Sequence, residues 1–276
     1  MSIADEQARR APLNLPVVAS ALYSKNFIKQ AVCELRFPTL YDLDAHKPPG
    51  GFAKALRKEY PNQQTVKSVN LALGEDAATA AFHHTFKSRG SKWAISLRSS
   101  AVVLETKDYT SYEEFRRRLS DLVREAAAII DSDFYTRIGL RYINAVPYDK
   151  NSIGEWINPS LVEVLSSGVL GEPMEYAGRV QGVTDVGGYI IQHGILSGPS
   201  RNIGALSIGA NTEIESTNSP QIEYSIDFDL FAEDVQADEA ISTVDRLHQL
   251  EHSLFDWALG PLARSHLGPS ILGASS

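Results

Sequence analysis

Arg137-Ile-Gly-Leu-Arg-Tyr-Ile-Asn-Ala-Val146 decides how this chain is built. Leu140, Tyr142 and Asn144 fall on one side of the segment, and Arg137, Gly139, Arg141 and Ile143 on the other. That period of two belongs to a β-strand. The segment directly follows a long helical pattern and opens a run of elements that repeats the order of the run before it.

Upstream, Thr110 and Glu113 stand in capping-box spacing, which predicts a helix start. Tyr112, Phe115, Leu119, Leu122, Val123, Ala126, Ile129 and Ile130 give that helix an apolar stripe. Arg116, Arg117, Arg118 and Arg124 lie opposite and read as a solvated face. Further upstream, Gln30–Phe37 alternates as a strand. Phe52, Ala55, Leu56 and Tyr60 space as a short helix ended by Pro61. Strands follow at Thr65–Leu73, Ala78–Lys87, Lys92–Arg98 and Ala101–Thr106, with Trp93, Ile95 and Leu97 marking one face of the third. Downstream, Asn158 caps a helix begun by Pro159. Strands are expected at Tyr176–Thr184, Gly187–Leu196, Ile203–Ile214 and Ile222–Phe231. A helix from Asp238 to Leu262, with Val244, Leu247, Leu250, Leu254, Trp257 and Ala258 on its apolar face, closes the series.

Residues 29–130 and 136–262 therefore both read β-α-β-β-β-β-α, with the first strands about 107 residues apart. A sheet with one apolar face needs a helix to cover it. The expected fold class is α+β: two β-α-β4-α units whose antiparallel sheets are covered by helices, a pseudo-duplicated topology of TATA-binding-protein-like or helix-grip-like form. The expected domains are a flexible arm over 1–26, a first unit over 27–133, a second over 134–267 packed on the first, and a tail over 268–276.

The chain has 276 residues, 43% hydrophobic and 22% charged, with a net charge of −8. This is ordinary globular usage. The negative balance disfavours binding to phosphate backbones or anionic membranes. The single Cys33 fits a reducing compartment, and neither a signal peptide nor an apolar span is legible, so the expected location is the cytoplasm.

The phosphate-cradling glycine loops and the G-x-S-x-G elbow are missing; Gly204–Gly209 has the wrong spacing. His248-Gln-Leu-Glu251-His252 fits the inverted zinc-peptidase pattern H-x-x-E-H. On a helical wheel, however, Glu251 falls inside the apolar stripe with both His at its edge, so they read as boundary residues of a packed helix. His83 and His84 are adjacent in a strand and point to opposite faces. Glu223, Asp227 and Asp229 read as the wet face of the last strand. No metal and no cofactor is expected. Arg141 can grip a carboxylate or phosphate with two parallel hydrogen bonds, and its expected structural partners are Glu105 or Glu34.

Four segments carry a resemblance. They are Tyr23–Phe37 with Glu34 in its strand, Val103–Phe115 at a strand-helix junction, the Arg137–Asn144 core, and Leu247-His248 with Phe255 downstream. Together they resemble a sporadically distributed family of uncharacterised prokaryotic proteins. The likeness spans most of residues 22–267 and is most specific at Arg137–Asn144. Asn26-Phe27-Ile28 departs from the usual Asn-Pro-Ile. The resemblance supplies no catalytic residue or cofactor. Its patchy distribution implies an accessory role, such as in defence or toxin-neutralising systems.

The expected function is a non-enzymatic binding or interaction protein whose partner is a protein, self or other. A small ligand is the alternative, in a helix-grip pocket or enzyme lined by Arg141, Tyr142, Asn144, Trp93 and His248. Nucleic acid, suggested by topology and by Arg116–Arg118, is the third reading and is disfavoured by charge. No membrane partner is expected.

Overall fold

A computed structural model describes residues 11–15, 22–70, 79–149, 151–171, 173, 175–196 and 222–270. In chain order the elements are β1 (Leu22–Tyr23), β2 (Ile28–Arg36), α1 (Gly50–Leu56), β3 (Asn62–Asn70), β4 (Thr79–Lys87), β5 (Trp93–Arg98), β6 (Ala101–Thr106), α2 (Tyr112–Ile130), β7 (Phe134–Pro147), α3 (Ile153–Trp156), α4 (Pro159–Ser166), β8 (Ala177–Val183), β9 (Gly188–Leu196), β10 (Glu223–Gln236), α5 (Ala240–Ala258), α6 (Pro261–Leu267) and β11 (Pro269–Ser270). Nine strands form one sheet in the order β3-β4-β5-β6-β2-β7-β10-β9-β8, and β1 pairs antiparallel with β11. The protein is thus mixed α and β with a large antiparallel sheet. The chain groups into two compact units whose bounds cut through the long strands and α5. One comprises 1–29, 142–230 and 248–276; the other comprises 30–141 and 231–247. We call them the outer and inner units, after their order in the chain.

In the inner unit, sequence alternation becomes two distinct sheet faces. The antiparallel registers align Trp93 with Thr106 and Ala31, Ile95 with Leu104 and Cys33, and Leu97 with Val102 and Leu35. These residues are buried, and Phe115 of α2 meets the Trp93 ring at 5.9 Å, so this face carries the helix. Phe52 of α1 packs edge-on against Phe86 of β4. The stripe of α2 matches the sequence pattern at Phe115, Leu119, Leu122, Ala126 and Ile130. The cap differs: Ser111, not Thr110, accepts from the Glu114 N–H. At the other end Asp131 adopts a left-handed conformation and its N–H returns to the Ala127 carbonyl, closing the helix.

In the outer unit, Tyr224, Ile226, Phe228 and Leu230 of β10 are fully buried, with Leu161 and Val162 of α4 and Leu254 and Ala258 of α5 among the other core residues. Two expectations need correction here. Asp227 and Asp229 are not a wet face; they are only 5% and 6% exposed, because β10 is buried on both sides. The terminal helix does not run from Asp238 to Leu262 but stops at Ala258 and restarts at Pro261. Gly260 is the cause: its N–H bonds the Trp156 carbonyl, and a Cβ there would stand 2.2 Å from the Glu155 carbonyl oxygen. Only glycine fits so close an approach. The short α3 is also an addition, while Asn158 caps α4 as expected. The strand expected at Ile203–Ile214 lies outside the described residues.

Candidate functional site

The five residues expected to line a ligand pocket separate into two groups. Tyr142, Asn144 and His248 belong to the outer unit, and Trp93 and Arg141 to the inner one. Tyr142 and His248 do meet: the phenol oxygen lies 3.1 Å from Nδ1, with the rings edge to face. Asn144 is buried, and its Nδ2 donates to the Ile226 and Tyr142 carbonyls while its Oδ1 has no hydrogen-bond partner. It cross-braces β7 and β10. Trp93 serves the core, with Phe115 on it and the Arg118 guanidinium 4.6 Å over its ring. Arg141 is partly buried on β7.

The H-x-x-E-H segment on α5 also diverges. His248 turns to Tyr142, and His252 stacks on Tyr23 at 6.2 Å. Glu251 is 1% exposed, and neither of its oxygens has a hydrogen-bond partner. Burial pushes its carboxyl well above the usual range, and the nearby Asp229 and Asp227 push the same way; the Leu230 amide, close but outside hydrogen-bond geometry, acts in the opposite direction. Burial therefore favours the protonated form of Glu251 in the helix core. Among the described residues no group of three or more His, Cys, Asp or Glu is arranged to hold a metal.

The face of the inner sheet turned away from α2 has a different character. One cross-strand row runs Asn62, Lys87, Ala94, Glu105, Val32; the next runs Gln64, Thr85, Ser96, Val103, Glu34; and Arg98, Ala101 and Arg36 begin a third. Asn62, Gln64 and Lys87 are exposed at the β3–β4 side, and exposure falls toward β2. Glu34, 1% exposed, fixes that inner end. Its Oε2 accepts from Arg36 Nε at 2.8 Å and Arg137 Nη1 at 3.2 Å. Arg137 in turn lies 4.3 Å over the Phe231 ring. Glu105 accepts from Gln30, and burial pushes its carboxyl upward. Of the two carboxylates expected to receive Arg141, Glu34 accepts from Arg36 and Arg137, and Glu105 accepts from Gln30. These rows of polar side chains went unnoticed in the sequence. The signal was present as the complement of Trp93, Ile95 and Leu97: if those face the helix, Ala94, Ser96 and Arg98 must face away.

The arginines of α2 are occupied by acids. Arg116 makes a two-pronged contact with Asp245, Arg117 pairs with Glu114 and Asp121, and Arg124 with Asp121 and Glu125. These three side chains are solvated, as expected. Arg118 departs: it is largely covered, bonds Glu114, Glu59 and the Tyr60 hydroxyl, and borders a shallow cleft of about 120 Å³ with Leu56, Ile95 and Leu122. No described helix is long and apolar enough to cross a membrane. Comparison with known protein families and with curated proteins finds no match for this chain.

Proposed function

We propose that this chain is a binding protein of the prokaryotic cytoplasm, and that the inner unit presents the polar sheet face turned away from α2 to a protein partner. The observation that supports the reading is the exposed β3–β4 end of these rows, Asn62, Gln64 and Lys87, set in register with an inner end where Val32 and Glu34 are buried and Glu34 accepts from Arg36 and Arg137. A face whose side chains are already held loses little rotamer entropy on binding. An accessory role in defence or toxin neutralisation fits the family resemblance. The two-unit reading belongs to the same proposal. In the sheet order, β2 is followed outward by β6, β5, β4 and β3, and β7 by β10, β9 and β8. Each run starts with its first strand beside its last, which supports a pseudo-duplicated plan of TATA-binding-protein-like form; the second run has three further strands among the described residues, the fourth being expected at Ile203–Ile214, outside them.

The test is affinity capture of partners on the purified protein, repeated with Lys87→Glu and Gln64→Arg. The expected result is a retained protein lost in both variants. Retention that is equal in wild type and variants, or no retained protein, would overturn the reading. The small-ligand alternative keeps one specific support, the Tyr142–His248 contact. A thermal-shift screen tests it, since a ligand at 100 times its dissociation constant adds about 2.7 kcal/mol. The nucleic-acid alternative loses its main support, because Arg116, Arg117 and Arg118 are all paired with acids.

A further inference from the structure

Strand β8, Ala177-Gly178-Arg179-Val180-Gln181-Gly182-Val183, ends the nine-stranded sheet, and among the described residues only β9 pairs with it. Val180 and Val183 are 47% and 50% exposed. The opposite end of the sheet is β3, which carries Asn62, Gln63, Gln64 and Lys67, the polar guards that keep an edge strand from recruiting another. In β8 the only charged residue is Arg179.

The hydrogen bonds show which groups of β8 face outward. Ile195 N–H donates to the Tyr176 carbonyl, and Thr184 N–H to the Gly187 carbonyl. In an antiparallel ladder, residues bonded to the neighbour alternate with residues that are not. Gly178, Val180 and Gly182 therefore bond β9, while Ala177, Arg179, Gln181 and Val183 turn their N–H and C=O to the side on which no strand pairs with β8 among the described residues. The strand is also nearly palindromic. Arg179 and Gln181 flank Val180, Gly178 and Gly182 flank those, and Ala177 and Val183 close the ends. The two glycines leave room for the cross-strand side chains of His193 and Tyr189. A Cβ on Gly178 would stand 2.3 Å from His193 Nε2, and one on Gly182 2.5 Å from the Tyr189 hydroxyl.

We infer that β8 is the surface by which two copies of this chain pair, antiparallel and edge to edge, about a twofold axis at Val180. An isologous contact must be self-complementary, and this strand is. Arg179 falls opposite Gln181 of the partner subunit and Ala177 opposite Val183 of the partner subunit. All four are outward-facing residues, so each N–H meets a carbonyl. No like charges stand directly opposite. Val180 faces the partner's Val180 in a non-hydrogen-bonded position, where side chains approach most closely. The inference is independent of the inner unit's sheet face, so either can fail alone.

The test is Val180→Cys in the full chain, exposed to an added mild oxidant that takes two electrons and two protons from a thiol pair. The native Cys33 is buried. The expected product is a disulfide-linked species of twice the 30.3 kDa chain mass on a non-reducing gel. Val183→Cys, whose copies would stand roughly 20 Å apart at about 3.4 Å per residue, stays unlinked. Cross-linking equal in both variants, or absent in Val180→Cys, overturns the inference. A second variant, Gln181→Pro, removes an outward donor and leaves the β9 bonds in place. Light scattering should show wild type at up to twice the mass of Gln181→Pro at equal concentration, with unchanged circular dichroism. Equal masses at every concentration overturn the inference as well.

Discussion

Glu34 and Glu251 are buried to the same degree, each 1% exposed, yet their surroundings are opposite. Glu34 lies between two guanidiniums, and its charge is matched. Glu251 has no hydrogen-bond partner for either oxygen and has Asp229 and Asp227 nearby. Burial alone therefore does not say what a carboxyl group does. The partner decides whether the group is kept as an anion or as a neutral acid. In the inner unit a buried acid organises arginines; in the outer unit a buried acid fills space on a helix.

The contrast can be broken most forcefully at Glu34. Glu34→Ala removes the carboxylate shared by Arg36 and Arg137, and breaking one side of a buried pair costs about 3–5 kcal/mol in such sites. Urea denaturation should show that loss, and a change below about 1 kcal/mol would mean the pair is unimportant. A smaller effect of opposite sign is expected at Glu251. Its folded carboxyl titrates above the unfolded value of about 4.3, so its stabilising protonated form is fully present below that pH and is lost as pH rises through the folded value. Glu251→Gln should flatten the decline in stability on the alkaline side. It should also raise stability at pH 8, each pH unit of displacement being worth about 1.4 kcal/mol. A wild type equally stable from pH 5 to 8 would refute the neutral-acid assignment. The mildest effect belongs to Asp245, a partly exposed carboxylate that accepts from Tyr112 and Arg116 between α2 and α5. Asp245→Ala should cost about 1 kcal/mol and less at high salt. A larger loss would show that solvent screens this contact poorly.

Much of the scaffold was legible because it is local. Trp93, Ile95 and Leu97 announced their face by alternation, the stripe of α2 by helical spacing, and α4 by the Asn158-Pro159 cap. What escaped is non-local. Asp227 and Asp229 alternate with Ile226, Phe228 and Leu230 as a solvated strand face would, and only tertiary cover makes them interior. The break after Ala258 was hidden because its cause is not local: the close carbonyl of Glu155 at Gly260 comes from a distant segment. Sequence placed Glu34, Arg137 and Arg141 in two strands without showing which are brought together; the contact between Arg137 and Glu34 joins residues 103 positions apart, which no single strand reveals.

The division of the chain has a consequence for how it is made. The inner unit needs residues 231–247 to complete what 30–141 begin, and the outer unit needs everything after 248. On a ribosome adding about 5–20 residues per second, the stretch from 141 to 247 takes roughly 5–20 s. During that wait β2 through β7 have emerged without their closing helix. Neither unit can close until residues well after its first segment have been made, so the nascent polypeptide carries both units incomplete until residue 247 has emerged.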